Sequence, residues 1–142
     1  MDCLFVSDLH GKRHLYKKMF EEVQKTEPEV VLMGGDLFPH GYIPDDPGEE
    51  DFIKDFFIKE FRKLKQAMTN KYPWFLIILG NDDPRSNEKR LLSEEFNGSL
   101  WHYLHGRKIE IENYKFFGYS FIPPSPFGLK DWEKYDVSRF VD

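Results

Sequence analysis

The chain alternates between amphipathic stretches with helical spacing and short apolar runs. Between residues 13 and 26 the apolar side chains recur every three or four positions, with lysine and glutamate between them. This spacing predicts a helix over 13–26 that ends before Pro28. A wider apolar stripe predicts a second helix over 52–68, and a shorter third helix is predicted over 87–96.

Three short apolar runs are typical of buried strands. They span residues 3–7, 30–33 and 74–79, and each is followed by a polar turn that contains glycine. A strand, a helix and a second strand in succession form a parallel pair with a right-handed crossover. We therefore predict an α/β fold built on a parallel sheet.

The pattern changes in the later part of the chain. Residues 108–112 and 114–119 are predicted to form two strands joined by a tight turn at Asn113. A weaker strand is predicted before them, over 100–104.

Two segments are predicted to be loops. One follows Asp36 and contains the prolines and glycines of residues 39–48. The other begins at Ser120, is rich in proline and shows no period, so we expect at most one helical turn near 132–135.

Composition and charge disfavour some classes of protein. The 142 residues suffice for a single domain, and 20 basic against 25 acidic side chains give a net charge of −5. This acidic balance disfavours binding of nucleic acid through bulk charge. The longest apolar run, 74–79, is too short to cross a bilayer, so no membrane partner is expected. The lone Cys3 cannot form an internal disulfide, which favours a reducing compartment, the cytoplasm.

Polar residues set off by glycine follow each of the three buried runs. Asp8 and His10 follow the first run, Asp36 follows the second, and Asn81 follows the third. Because the carboxyl ends of parallel strands meet at one edge of a sheet, we expect these four side chains to converge. Asp8 and His10 are two residues apart, so in an extended segment they point the same way and can hold one ion together. Carboxylate, imidazole and amide ligands without sulfur suit manganese, iron, zinc or magnesium.

The same residues also have structural interpretations. Asp8 and Asp36 can close turns, although their joint position at strand ends favours a metal site. Asn81 can fix the turn before the third helix, and the pair Asp83 and Pro84 fits an N-cap followed by the first helical position.

Other polar side chains are weaker candidates. His40 lies in the loop after Asp36, near the proposed site, but a surface position is the more common role for such a histidine. Arg85 either contacts an anionic ligand or is an exposed arginine at the start of a helix. His102 and His105 are interpreted as structural.

Three segments carry a resemblance to a known family. Ser7-Asp8-Leu9-His10-Gly11, Gly34-Gly35-Asp36 and Gly80-Asn81-Asp82-Asp83 closely resemble, in order and spacing, the first three motifs of the calcineurin-like metallophosphoesterases. The resemblance covers about residues 2–119. It implies the family's αββα sandwich, of which this chain would form the first β-sheet, its flanking helices and the start of the second sheet.

The resemblance further implies a hydrolase of phosphate mono- or diesters that uses two divalent metal ions. Asp8 and His10 would bind the first ion, Asp36 would bridge both ions, and Asn81 would bind the second. A bridging hydroxide would attack phosphorus while the ions stabilise charge on its oxygens. The implied partner is a phosphate ester substrate.

Two departures from the family's pattern bear on catalysis. Asp82 occupies the place of a histidine that can protonate the leaving group, and an ordinary aspartate is ionised at neutral pH. Asp82 and His40 are therefore both candidate catalytic residues, and the proton donor is left unassigned. The family's later histidine ligands, including a Gly-His-x-His motif, do not occur, so we expect residues 1–142 to form one incomplete domain.

The missing histidines leave a second hypothesis open. A sheet that lacks its packing partner exposes an apolar face, and such a face favours association. The chain would then be a catalytically incomplete half-domain that binds metal or oligomerises, for example as a homodimer that covers the exposed face.

Overall fold

The fold is built on a parallel sheet, as the strand–helix–strand pattern predicts. A computed structural model of the chain describes residues 1–40 and 51–135. Four strands, β1 (Cys3–Val6), β2 (Val30–Met33), β3 (Trp74–Ile77) and β4 (His102–Tyr103), pair in that order, and every pairing is parallel. Val6 pairs with Met33, and Met33 pairs with Ile77, so β1, β2 and β3 end level with one another. Their carboxyl ends therefore share one edge of the sheet.

The described residues include three α-helices that follow the predicted amphipathic stretches. They are α1 (Arg13–Thr26), α2 (Ile58–Met68) and α3 (Glu88–Gly98). A π-helical turn over Ile53–Phe57 precedes α2, and Asp51 accepts hydrogen bonds from the first N–H groups of that turn. A 3-10 turn over Arg85–Asn87 precedes α3. Thus α2 begins after a wider π-helical turn and α3 after a tighter 3-10 turn. The spacing of apolar residues does not distinguish these turns from an α-helix.

The main core lies between the helices and one face of the sheet and is filled with aromatic rings. Phe57, Phe61 of α2 and Trp101 are fully buried. The ring centroids of Phe57 and Phe61 lie 4.7 Å apart, and Phe61 meets Phe75 of β3 edge-on at 4.9 Å. The indole N–H of Trp101 donates to the carbonyl of Leu91 at 3.0 Å. This packing fixes α2 and α3 against the sheet.

The described residues cover the opposite face of the sheet only in part. An antiparallel hairpin of β5 (Lys108–Ile111) and β6 (Tyr114–Phe117) packs there, where Ile111 joins a small core with Val30 and Leu76. Phe5, on the outer strand β1, remains 66% exposed. An exposed apolar side chain thus lies on this face at β1, and the homodimer expected to cover it stays a prediction.

The strands are shorter than the apolar runs that predict them. Pairing as regular strands stops at Val6 and at Ile77. The backbone still bonds to its neighbours beyond these points, since the Asp8 N–H donates to the Gly35 carbonyl at 3.0 Å. Strand β1 ends early because the backbone adopts a left-handed conformation at Asp8, where φ is 59°.

The segment after β6 is held by a buried aromatic side chain and contains no helical turn over residues 120–135. Ile122 donates its N–H to the carbonyl of Trp132 at 2.8 Å. Trp132 is 1% exposed, and its indole N–H donates to the backbone carbonyl of Asp83 at 2.8 Å. Because isolated contacts such as that of Trp132 hold this segment, no periodic pattern in the sequence reveals it.

Two further expectations concern loops and membranes. Most of the loop predicted over 39–48 lies outside the described residues. Within residues 1–40 and 51–135 no helix is long and apolar enough to cross a membrane.

His105 couples stability to pH. Its ring centroid lies 4.8 Å from that of Phe121 and 4.9 Å from that of Trp132, and its Nδ1 accepts a hydrogen bond from the Ser120 N–H at 3.0 Å. Desolvation lowers the pKa of His105, so the folded chain favours the neutral ring. Below the pKa of an unfolded histidine, about 6.5, the unfolded chain binds more protons than the folded chain. The stability that the neutral His105 ring contributes is therefore present above that pH and is lost as the pH falls.

We expect the urea concentration at the midpoint of unfolding to decrease when the pH is lowered from about 7 to about 5.5. In His105→Asn this decrease should be smaller. Asparagine keeps an acceptor near the Nδ1 position but does not titrate. The exposed His14, changed to asparagine, serves as the control and should leave the slope of the wild type unchanged. An equal fall in wild type and His105→Asn would contradict the assignment.

Candidate metal centre

The loops after β1 and β2 are joined by backbone hydrogen bonds. The N–H of Asp8 donates to the carbonyl of Gly35 at 3.0 Å, and the N–H of His10 donates to that of Asp36 at 2.8 Å. Asp8, His10 and Asp36 all have left-handed backbones, with φ of 59°, 46° and 55°. Few residues with a side chain adopt this conformation, although Asp and His tolerate it better than most. Backbone conformations of this kind concentrate at functional sites.

The side chains of these residues converge. One ligand atom from each of Asp8, His10 and Asp36 lies within 4.8 Å of the other two. Nε2 of His10 is 3.6 Å from Oδ1 of Asp8, and the Ser7 hydroxyl donates to Oδ2 of Asp8 at 2.6 Å. The expected reason for the convergence is wrong in one respect, because the segment from Asp8 to His10 is not extended. Left-handed turns and the pairing of the two loops bring the side chains together instead.

Glycine allows the loops after β2 and β3 to touch. A Cβ at Gly80 would overlap the carboxylate of Asp36, and a Cβ at Gly35 would lie 2.5 Å from the Gly80 nitrogen. Gly35 also has a φ of 99°, which residues with a side chain rarely adopt. With the loops this close, Oδ1 of Asp36 accepts a hydrogen bond from the Asp82 N–H at 2.9 Å. The two glycines thus set the position of Asp36.

The converging carboxylates make the electrostatic environment suitable for a cation. Burial raises the pKa of Asp36, and the nearby charges of Asp82 and Asp8 raise it further. The Asp82 N–H and the charge of His10 act in the opposite direction. A divalent cation between the carboxylates would remove their mutual repulsion.

Asp82 faces two histidines beside this cluster. Nε2 of His40 lies 3.1 Å from Oδ1 of Asp82, and Nδ1 of His10 lies 3.8 Å from Oδ2. The His40 side chain is 68% exposed, so its ring is accessible to a substrate. Asn81, next to Asp82 in the turn after β3, is half-buried. The two candidate catalytic residues therefore form one contacting pair at the site.

Asp83 does not act as the N-cap that the sequence suggested, since Pro84 and not Asp83 directly precedes the 3-10 turn before α3. Its carboxylate is fully buried and accepts hydrogen bonds from Leu37 at 2.9 and 3.1 Å, from Phe38 at 2.9 Å and from Gly80 at 2.9 Å. Burial raises the pKa of Asp83, and the three N–H donors partly offset that rise.

The role of Asp83 was missed because an aspartate before proline fits the start of a helix. The sequence feature that could have indicated this role is the presence of a glycine-containing turn at the end of each of the first three strands. Backbone N–H groups in such turns need acceptors when they are buried, and Asp83 is a carboxylate within one of these turns.

Arg85 contacts the segment that follows β6. Its backbone N–H donates to Oδ2 of Asp131 at 2.9 Å, and its Nε lies 3.4 Å from Oε2 of Glu88. The guanidinium carbon lies 5.3 Å from the ring centroid of Phe121 and 5.1 Å from that of Trp132. The structure thus places Arg85 at the start of a helix, packed on aromatic rings.

The donor set of the converging residues fits a divalent cation. Two carboxylates and one imidazole, without sulfur, suit manganese, iron, zinc or magnesium. The hydrogen bond from Ser7 to Asp8 is the kind of outer contact that orients a metal ligand. A parallel α/β sheet with such a group at its strand ends defines a candidate metal-binding protein.

Comparison with known families places the chain among phosphoesterases. The family model for calcineurin-like phosphoesterase matches residues 1–139. The chain belongs to the calcineurin-like phosphoesterase family, as its three motifs predict. Members of this family are metal-dependent phosphoesterases, and the Asp8, His10 and Asp36 group fits that chemistry.

Solved structures share the fold. Fourteen of their chains match this one. One crystal structure superposes with a TM-score of 0.59 at 13% identity, and the match covers 98% of this chain and 60% of the other. The chain therefore spans 60% of the length of that protein, and at this identity the likeness concerns the fold alone. No curated protein matches the chain.

We expect Asp36→Asn to lower the affinity for Mn²⁺ by more than about tenfold, which is the smallest effect typical of substitutions just outside a metal's ligands. Asparagine keeps the shape of the side chain and tolerates the left-handed backbone, but it removes the charge. Isothermal titration of the metal-free chain measures the affinity. Asp51→Asn, which removes a carboxylate bound to backbone N–H groups before α2, is the control and should bind like wild type. Equal binding by Asp36→Asn would exclude Asp36 as a ligand.

Proposed function

We propose that the chain is a metal-dependent hydrolase of phosphate mono- or diesters. The observation that carries this proposal is the convergence of Asp8, His10 and Asp36 at the strand ends of a calcineurin-like phosphoesterase fold. A site of this kind combines cation-binding side chains with an edge of the sheet where ligands bind. We also propose a cytoplasmic location, because the lone Cys3 favours a reducing compartment.

The residues divide into ligands for two ions. Asp8 and His10 would hold one ion, Asp36 would contribute to both, and Asn81 would contribute to the second; manganese, iron, zinc and magnesium are the candidate ions. When bound, two such ions supply a nucleophile at neutral pH and stabilise charge on the phosphoryl oxygens. The backbone hydrogen bonds between the loops after β1 and β2 hold Asp8, His10 and Asp36 close to one another.

His40 and Asp82 are assigned to the leaving group. His40 is exposed, and its Nε2 lies 3.1 Å from Oδ1 of Asp82, so the carboxylate can hold the ring in one orientation. The ring then donates a proton to the oxygen that leaves phosphorus. This division replaces the single histidine that the family's third motif often carries.

Arg85 is the candidate contact for a substrate phosphate. Its side chain is 45% exposed and follows the third motif closely in the chain. The aromatic rings of Phe121 and Trp132 support its guanidinium. A planar guanidinium held in this way is suited to a bidentate contact with phosphate oxygens.

The direct test is hydrolysis of nitrophenyl phosphate and bis-nitrophenyl phosphate with Mn²⁺, Mg²⁺, Zn²⁺ or Fe²⁺. We expect turnover that requires an added ion, stops with a chelator and is lost in Asp8→Asn and Asp36→Asn, because both remove charge from the ligand set. Asp51→Asn should retain full activity. A folded wild-type chain that binds these ions and hydrolyses neither substrate would contradict the proposal.

The role of His40 is tested by varying the leaving group. We expect His40→Gln to slow hydrolysis of an alkyl phosphate by about 10²- to 10⁴-fold and to affect a nitrophenyl ester much less, because nitrophenolate leaves without protonation. Asp82→Asn should show the same preference with a smaller loss. Equal losses on both substrates would exclude His40 as the proton donor, and His14→Asn is the matched control.

The alternative is a catalytically incomplete half-domain that binds metal or associates. The observation that favours it is the exposure of Phe5 on β1, which is 66%. A homodimer would bury Phe5 and the neighbouring face of the sheet. Light scattering of wild type and Phe5→Lys decides between the states, since a dimer that the lysine dissociates supports this alternative and a wild-type monomer contradicts it.

A further inference from the structure

The carboxylate of Asp83 is bonded to the two residues that directly follow Asp36. Oδ1 of Asp83 accepts the N–H groups of Leu37 and Phe38, each at 2.9 Å. Oδ2 accepts the Gly80 N–H at 2.9 Å, and the Leu37 N–H reaches it as well at 3.1 Å. One side chain therefore fastens the loop after β2 to the loop after β3.

These contacts constrain the backbone of Asp36. Its φ is 55°, a conformation that costs free energy for a residue with a side chain and persists only when the surroundings hold it. The Leu37 N–H belongs to the peptide group that follows Asp36, so anchoring it limits rotation at Asp36. On the other side, the Asp36 carboxylate accepts the N–H of Asp82, the residue next to Asp83.

Asp83 itself is not placed to bind an ion. It is fully buried, and both of its oxygens are occupied by N–H donors. Its backbone carbonyl accepts the indole N–H of Trp132 at 2.8 Å, so the residue is also fixed from the segment after β6. A carboxylate in this position can act on a metal only through the loop that it holds.

We propose that Asp83 is a positioning residue: its buried carboxylate holds the turn after Asp36 so that the Asp36 side chain points at the metal site in the absence of metal. The proposal rests on the metal site of the proposed function and adds a residue that acts through another. The hydrogen bonds from Leu37 and Phe38 to Asp83 would then explain why Asp36 keeps a left-handed backbone. The proposal also predicts that the turn is formed before an ion arrives.

The first measurement is metal affinity in Asp83→Asn. Asparagine has one oxygen and one amino group, so either Gly80 or the Leu37 and Phe38 pair would face a donor instead of an acceptor. We expect the affinity for Mn²⁺ to fall roughly 10- to 100-fold, the range found when a residue supporting a metal ligand is changed. The visible spectrum of the Co²⁺-loaded chain should change as well, because it reports ligand geometry. Asp51→Asn is the control for losing a carboxylate that binds backbone N–H groups, and it should change neither quantity.

The second measurement uses the wild type, so it does not depend on a variant that folds. Hydrogen exchange of the Leu37, Phe38 and Gly80 amides is followed in the metal-free chain and with Mn²⁺. We expect all three amides to exchange slowly without metal and to change little when Mn²⁺ binds. Rapid exchange that slows only with Mn²⁺ would overturn the proposal, because the ion and not Asp83 would then order the turn.

The outcomes separate this proposal from the proposed function. Wild type that binds Mn²⁺ with protected amides but hydrolyses no phosphate ester would contradict the hydrolase and leave Asp83 as a positioning residue. Hydrolysis with an unchanged Mn²⁺ affinity and Co²⁺ spectrum in folded Asp83→Asn would overturn the role of Asp83 and leave the hydrolase intact. A wild-type chain that binds no metal would contradict both.

Discussion

Three backbone N–H groups, from Leu37, Phe38 and Gly80, converge on the buried carboxylate of Asp83 at distances of 2.9 to 3.1 Å. Each hydrogen bond to a charged acceptor contributes about 1.5–3 kcal/mol, whereas an unpaired buried carboxylate would be strongly destabilising. If the loops after β2 and β3 separated, the Asp83 carboxylate would be exposed to solvent or left buried without its hydrogen-bond donors. The close approach of Gly80 and the position of Asp36 depend on these two loops remaining together.

The parts of the fold that the sequence predicts well are those governed by local periodicity. The helix over 13–26 and the strand over 30–33 match the structure at both ends, because an amphipathic period and a short apolar run report directly on which side chains are buried. The parallel arrangement followed from chain order alone. It also indicated that Asp8, His10 and Asp36 would meet, since strand ends in such a sheet share one edge.

The parts that the sequence does not predict depend on contacts between distant residues. Asp83 binds N–H groups more than forty positions away, and the indole of Trp132 reaches Asp83 across a similar separation. The left-handed backbone at His10 likewise arises from pairing between two loops and has no local signature. Periodicity describes how a segment faces the core, so it carries no information about which buried donor finds which acceptor.

The left-handed backbone at Asp8, His10 and Asp36 also limits how this site can change its chemistry over evolution or by design. Asp, Asn and His are the residues with side chains that most readily occupy this region, whereas branched residues are strongly disfavoured there. Exchanges among these three types alter ligand charge and hardness while leaving the turns intact. Conversion to a thiolate site would have to overcome the backbone preference at three positions as well as the change of ligand. The backbone at these three positions thus favours oxygen and imidazole side chains over thiolates.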